Sequence, residues 1–240
     1  MTKFLLVGKG SISKRHEYAI EKNGGEIIDV YDPILSNWKC LEDMLYCYRE
    51  EADYVSICSP NHFHYDQIKL CLQYDKKIIV EKPMMLPWEP VINDNRINIV
   101  LQLRWLDLPE TADLVKVTMP RNEEYFKSWK GNSKLTGGIF HLLFIHYIDL
   151  AERLGAKFEG KIIPEGKPEA RIDDLNILKV DMNNLYKKMY NDIINNDKGV
   201  KPHEIYYLNW ILERCGFTFG IGSNVVGKSM EIDFSNGINI

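Results

Sequence analysis

Residues 7 to 13 read Val7-Gly8-Lys9-Gly10-Ser11-Ile12-Ser13, a glycine turn between a short apolar run and a helical one. Glycine at 8 permits a tight turn, and glycine at 10 lets an anionic group approach the backbone. A helix opening at Ser11 and Ile12 turns free N–H groups and a partial positive charge toward that anion. This is the chemistry of pyrophosphate binding. Ser13 stands where such turns carry a third glycine; close helix–strand packing needs a small residue there, and serine fits. Asp32 follows about twenty residues later, where a carboxylate can accept two ribose hydroxyls. An acid at that point repels a 2′-phosphate, so the expected cofactor is NAD and not NADP.

The elements needed to position these residues are legible as hydrophobic periods. Short apolar strands are expected at Lys3–Val7, Glu26–Tyr31, Tyr54–Ile57, Lys77–Val80 and Ile97–Leu101. Helical spacing fills the intervals at Ser11–Asn23, Trp38–Tyr48 and His62–Tyr74. Alternation of this kind implies parallel strands joined by right-handed crossovers, in a sheet covered on both faces. After Leu101 the rhythm changes. An antiparallel strand is expected at Leu114–Met119, and a strongly apolar helix at Gly137–Leu154. Strand fragments and loop are expected over Gly160–Ile172, another strand at Ile177–Val180, and helices at Met182–Asn195 and Pro202–Cys215. The tail from Gly220 is rich in Gly, Asn and Ser and supports no assignment. The expected fold is α/β: a doubly wound parallel Rossmann sheet over residues 1–102, then a small α+β domain over 103–240 with a reduced antiparallel sheet. The last helices are candidates to pack back on the first domain.

Ligands of open α/β sheets bind at the carboxyl ends of the strands. Two stretches fall there, Cys58-Ser59-Pro60-Asn61-His62-Phe63-His64 and Glu81-Lys82-Pro83. Ser59, Pro60, Asn61, His64, Glu81 and Lys82 therefore join Gly8, Gly10, Ser11, Ile12 and Asp32 as candidate cofactor-binding residues. With Arg15-His16, and with Gly137-Gly138-Ile139 running into His146-Tyr147-Ile148-Asp149, these segments resemble the Gfo/Idh/MocA oxidoreductase family over most of the chain. The resemblance implies that Lys82 is the catalytic lysine beside the nicotinamide and that His146 shares the proton transfer. Buried near a cationic ring, a lysine loses basicity and can take a proton from a sugar hydroxyl. A lysine before proline, or a histidine on an apolar helix, would carry no such meaning alone. The chain departs from the family at Leu142, where relatives have an Asp or Asn one helical turn before the histidine; His141 is the neighbouring polar residue.

Finer likeness lies in Leu101-Gln102-Leu103-Arg104-Trp105, in Tyr125 to Asn132, and in Thr136 to Ile139. These are similar to the subgroup that oxidises the 3″-hydroxyl of UDP-N-acetyl-2-amino-2-deoxy-D-glucuronate ahead of a PLP-dependent transaminase in surface-polysaccharide biosynthesis. Arg104 and Lys130 are candidates for a carboxylate or diphosphate, and Trp129 for an apolar sugar platform. Lys82, His141 and His146 complete the candidate substrate-binding set. Trp129 reads equally as a core or interface aromatic, and Arg104 as a structural ion pair. Family members usually exceed the 240 residues present, and the shortfall falls mainly between Gly155 and Met182. A homodimer is the expected assembly. The competing readings are a dehydrogenase of another sugar or polyol, and a non-catalytic NAD(H)-binding sensor or partner subunit.

Bulk properties agree with this choice. A net charge of -4 gives no basic field for nucleic acid. The five cysteines show no CxxC spacing, and their odd count speaks for reduced thiols, with no metal site expected. No apolar run approaches the roughly 20 residues needed to span a bilayer. The expected location is the cytoplasm.

Overall fold

The structure, a computed structural model, describes residues 1–206, 208 and 229–235. It contains two compact units. One comprises Met1–Trp105 and Met182–Tyr206; the other comprises Leu106–Asp181 and, among the described residues, 208 and 229–235.

The first unit holds β1 (Lys3–Val7), α1 (Ser13–Lys22), β2 (Glu26–Tyr31), α2 (Leu41–Cys47), β3 (Tyr54–Ile57), α3 (His64–Gln73), β4 (Lys77–Val80) and β5 (Ile97–Ile99). The strands form one parallel sheet in the order β2-β1-β3-β4-β5. Phe4 to Val7 and Tyr54 to Ile57 are buried throughout, as a sheet covered on both faces requires. The winding direction reverses between β1 and β3, and a crevice opens at their carboxyl ends. Strand starts agree with the hydrophobic periods, whereas helix starts move. α1 begins at Ser13 because the turn occupies Gly10 to Ile12, and α2 begins at Leu41, after a loop that carries Trp38. A 3-10 turn, Asn61–Phe63, precedes α3. β5 ends at Ile99, two residues before the expected stop; the Ile99 N–H donates to the Val200 carbonyl at 2.9 Å, pairing part of an otherwise open edge.

The second unit holds β6 (Leu114–Pro120), α4 (Glu123–Lys127), α5 (Ser133–Thr136), α6 (Ile139–Arg153), β7 (Lys157–Ile163), β8 (Glu169–Ile172) and β9 (Leu175–Asn176). Its sheet has the order β10-β7-β6-β8-β9, where β10 is Ser229–Asp233. This sheet is mixed. β6 lies antiparallel to β8, as expected, but parallel to β7, because α6 forms the crossover between them. α6 packs on the sheet through Phe144, whose ring meets Phe158 edge-on at 5.8 Å. The strand expected at Ile177–Val180 is corrected: the pairing residues are Leu175 and Asn176, turned back on β8 by Asp173 and Asp174. Ile177 is apolar because it is a buried anchor, 2% exposed, with its N–H bonded to Ala170.

The chain then re-enters the first unit as α7 (Met182–Asn196). Its buried stripe Tyr186, Met189, Tyr190 and Ile193 has the i, i+3, i+4, i+7 spacing of a core-facing helix and packs with Phe4, Ala19, Ile20 and Tyr54. Burying each tyrosine contributes about 2 kcal/mol if its hydroxyl finds a partner. Of the helix expected at Pro202–Cys215, the structure describes a 3-10 turn at Pro202–Glu204; most of the remainder lies outside the described residues.

Candidate active site

Gly8 has φ +89°, and a Cβ there would lie 2.9 Å from the Ser59 nitrogen. Both facts demand glycine: the turn needs left-handed backbone, and the Cys58–Ser59 backbone that follows β3 runs too close for a side chain. At Gly10 a Cβ would meet nothing within 4 Å, so this side of the turn is open space that a ligand can approach. α1 starts behind it with no side-chain cap on Ile12. Ser13 occupies the third-glycine position by folding its hydroxyl onto the Gly10 carbonyl at 2.8 Å and onto Glu17 at 2.9 Å.

Asp32 sits just past β2 and accepts backbone N–H bonds from Lys9 (2.9 Å), Ile34 (3.0 Å) and Leu35 (3.2 Å). Burial works against its charge, but these donors outweigh it and hold the carboxyl below its ordinary pKa. A fixed carboxylate thus stands at the wall of a cleft of about 600 Å³ that Lys9, Leu35, Ser36, Asn37 and Trp38 also line. Sequence reasoning missed Leu35 and Trp38. Leu35 is 68% exposed, and the Trp38 indole N–H is tied to Asp29 at 3.0 Å, which fixes a flat apolar wall beside the acid. The available signal was an apolar residue and a tryptophan in a loop, where neither has a core to fill. An open glycine turn before a helix start, a fixed carboxylate and an apolar wall fit the parts of NAD.

Two turns at neighbouring strand ends are held together by His64. Its ring is fully buried, with Nδ1 2.8 Å from the Pro83 carbonyl and Nε2 2.8 Å from the Ser59 carbonyl. Burial pushes this imidazole toward the neutral form, against two carbonyls that favour the charged one. His64 therefore shapes the rims of the crevice instead of presenting its nitrogens to a cofactor. Ser59 donates to Gln67 at 2.6 Å, and Asn61 is buried at the start of the 3-10 turn. The Lys82–Pro83 peptide is cis, and Lys82 is partly exposed after the buried Ile78, Ile79 and Val80 of β4.

Glu81 faces inward. Its Oε1 accepts from Nε2 of His16 at 3.0 Å and from the Tyr186 hydroxyl at 2.5 Å. Nδ1 of His16 meets the Tyr190 hydroxyl at 2.6 Å and Oγ of Ser56 at 2.8 Å. Burial opposes both charges. Nonetheless Cys58, Tyr190 and Glu81 hold His16 well above its ordinary pKa, and His16, Lys82 and Tyr186 hold Glu81 at about 2. The buried Ser56 of β3 and Tyr190 of α7 belong to this network, which sequence reasoning did not assemble. Its one visible sign was a serine and a histidine on faces otherwise apolar.

In the second unit, Gly137 (φ +78°) and Gly138 (φ +101°) supply the left-handed backbone that starts α6. His141, Leu142 and His146 are buried on this helix, at 1%, 8% and 9% exposure. Leu142 and His146 are four apart and share a face, so the residue one turn before the histidine is apolar. Trp129 and Lys130 lie on a 3-10 turn capped by Ser128. The Lys130 ammonium lies 5.2 Å from the Tyr125 ring centre, and the Arg121 guanidinium lies 4.9 Å from the same centre. Arg104 belongs to the first unit. Its side chain is 8% exposed and pairs with Glu204 at 2.8 Å, which is the geometry of a structural ion pair.

Residues 2–93 match the family model GFO_IDH_MocA, described as an oxidoreductase family with an NAD-binding Rossmann fold. Among solved structures, the chain is similar to the WlbA (WbpB) dehydrogenase of Thermus thermophilus in complex with NAD and alpha-ketoglutarate. That likeness has 20% identity and a TM-score of 0.75, and covers 95% of this chain and 99% of that one. The same dehydrogenase in complex with NAD and UDP-GlcNAcA matches at 23% identity and a TM-score of 0.72, covering 89% of this chain and 95% of that one. The WlbA dehydrogenase of Bordetella pertussis, in complex with NADH and UDP-GlcNAcA, matches at 20% identity and a TM-score of 0.53, covering 75% and 73%.

Proposed function

We propose, from the match of residues 2–93 to the NAD-binding Rossmann fold of the Gfo/Idh/MocA oxidoreductases, that this chain oxidises the 3″-hydroxyl of a UDP-linked N-acetylamino sugar uronate. The carrying observation is the Gly8–Gly10 turn with its fixed acid Asp32, set in the same sheet as the partly exposed Lys82 at the end of β4. NAD, when bound, supplies the acceptor for the hydride that leaves the carbinol carbon. Gly8, Gly10, Ser11 and Ile12 would hold its pyrophosphate, Asp32 its ribose, and Leu35 with Trp38 its apolar end. Lys82 takes the hydroxyl proton as the alcohol becomes a ketone, and His146 is assigned the second proton-handling role.

The substrate class is supported by the UDP-GlcNAcA present in two of the similar dehydrogenases and by the residues Trp129 and Lys130. With Arg104 engaged by Glu204, Lys130 is the candidate for the acidic or diphosphate group. The ketone product is of the class that a PLP-dependent transaminase consumes. A homodimer remains the proposed assembly. Among the described residues no helix is long and apolar enough to cross a membrane.

The test is NAD reduction by the purified chain over a panel of UDP-sugars, acidic and neutral, and free polyols. Selective turnover of the UDP-linked uronate is expected. Turnover of neutral sugars or polyols alone would move the assignment to another sugar, and failure to bind NAD would overturn the reading. Leu142, in place of a polar residue one turn before His146, favours a second reading, an NAD(H) sensor without turnover. Lys82→Ala separates them: an enzyme loses turnover and keeps NAD binding, whereas a sensor has no turnover to lose.

A further inference from the structure

The pair Glu81–His16 is buried, with His16 at 0% and Glu81 at 7% exposure, which makes it a poor device for stability alone. A buried ion pair can often be replaced by apolar residues at no cost, whereas its charges act strongly on any neighbouring charge. Glu81 precedes Lys82 in the chain, and the two groups attract. How much of the Glu81 charge reaches Lys82 depends on how many donors already hold the carboxylate. Two hold Oε1, His16 from α1 and Tyr186 from α7. Arg15 of α1 lies 5.8 Å from the Tyr186 ring centre, and Cys58 after β3 and His64 of α3 also face the pair. Tyr190 of α7 and Ser56 of β3 engage the far nitrogen of His16 and do not touch Glu81.

We propose that Tyr186 is a positioning residue for Lys82: its hydroxyl fixes Oε1 of Glu81 and so sets the place and the basicity of the lysine that follows. α7 thereby has a task in the reaction, although it comes some hundred residues after the strand end it serves. The inference rests on the role given to Lys82 above. In Tyr186→Phe, Glu81 keeps one donor fewer and pulls harder on the ammonium, so Lys82 becomes more basic. In Glu81→Gln the pull is gone and Lys82 becomes less basic.

The test reads Lys82 directly, without substrate. The full chain is reductively methylated with 13C-formaldehyde, and the dimethyl-lysine resonance absent from a Lys82→Arg control is titrated by NMR. Tyr186→Phe is expected to raise the Lys82 pKa by about half a unit or more, and Glu81→Gln to lower it by a similar amount. Tyr54→Phe, which removes a buried hydroxyl under the same helix but away from Glu81, should leave it within about 0.2. A Lys82 titration that Tyr186→Phe and Glu81→Gln leave where Tyr54→Phe leaves it would overturn the proposal. If Tyr186→Phe does not fold, Tyr186→Met takes its place beside Glu81→Gln, and a Lys82 titration that Tyr186→Met leaves unmoved overturns the proposal. In the sugar assay, Tyr186→Phe should lose about tenfold in kcat with NAD affinity within twofold; an unchanged kcat would also count against it. A wild-type chain inactive on every UDP-sugar would sink the substrate reading and leave the titration result standing.

Discussion

Nε2 of His16 lies 3.0 Å from Oε1 of Glu81, and this contact joins the first helix of the chain to the end of its fourth strand inside the core. His16 is 0% exposed and Glu81 is 7% exposed, so both charges are largely withdrawn from solvent. Each is kept by the other and by hydroxyls of α7. The arrangement ties the stability of the first unit to its protonation.

The first prediction follows from the sign of that linkage. The folded-state pKa of Glu81 is lowered from 4.5 to about 2, so the stability it contributes is complete above pH 4.5 and is lost as pH falls through 2. Urea unfolding of the wild type should show falling stability over this interval. Glu81→Gln should flatten that limb and cost about 3 kcal/mol near neutral pH, because it leaves His16 buried without its counter-charge. Equal acid limbs in the two proteins would contradict the assignment.

Two glycines of one turn should respond differently. Gly8→Ala forces a Cβ to 2.9 Å from the Ser59 nitrogen at φ +89° and should destabilise the fold by about 1–3 kcal/mol. Gly10→Ala places its Cβ in open space, so thermal stability should change by less than about 0.5 kcal/mol. NAD affinity should nevertheless fall in Gly10→Ala, since the methyl takes up part of the open space proposed for the pyrophosphate. Calorimetric melting and NAD titration on the same samples separate the effects.

Asp32 is expected to decide between cofactors. Asp32→Asn removes the charge while keeping an acceptor for part of the N–H set, and NAD affinity should weaken about tenfold or more. Discrimination against NADP should narrow, because the repulsion of a 2′-phosphate is gone. Fluorescence titration with both reduced cofactors measures each change.

Arg104 and Lys130 are both cations from the sequence motifs, yet they should behave oppositely. Arg104→Met breaks the pair with Glu204, whose side chain is 35% exposed, and should cost about 1–2 kcal/mol of stability without selective effect on acidic sugars. Lys130→Met should leave the melting temperature within a few degrees and raise KM for the UDP-linked uronate several-fold. Equal kinetic effects would return Arg104 to the substrate site.

The glycine turn, the order of strands and helices in the first hundred residues, and the place of Asp32 just past β2 were legible in the sequence because each depends on short-range rules. A tight turn needs glycine, a covered strand needs an apolar run, and the end of that run fixes where the next residue stands. The long apolar helix α6 was legible for the same reason. The mixed sheet of the second unit was not, since the direction of β7 relative to β6 depends on the crossover through α6. Ile177 was read as part of a strand because one buried anchor and a short strand give the same local pattern.

What tertiary structure decided is where each side chain is directed. Sequence placed Glu81, His64 and Arg104 among the binding candidates because of their motifs. The fold turns Glu81 toward His16 and Tyr186, seals His64 between two carbonyls, and pairs Arg104 with Glu204. None of these partners is close in sequence except within the two rims that His64 joins. A motif fixes residue types and backbone turns through local sterics, whereas a polar side chain is claimed by whichever donor or acceptor packing brings to it. That choice is made when α7 closes over α1 and β1, long after the motif itself has been written.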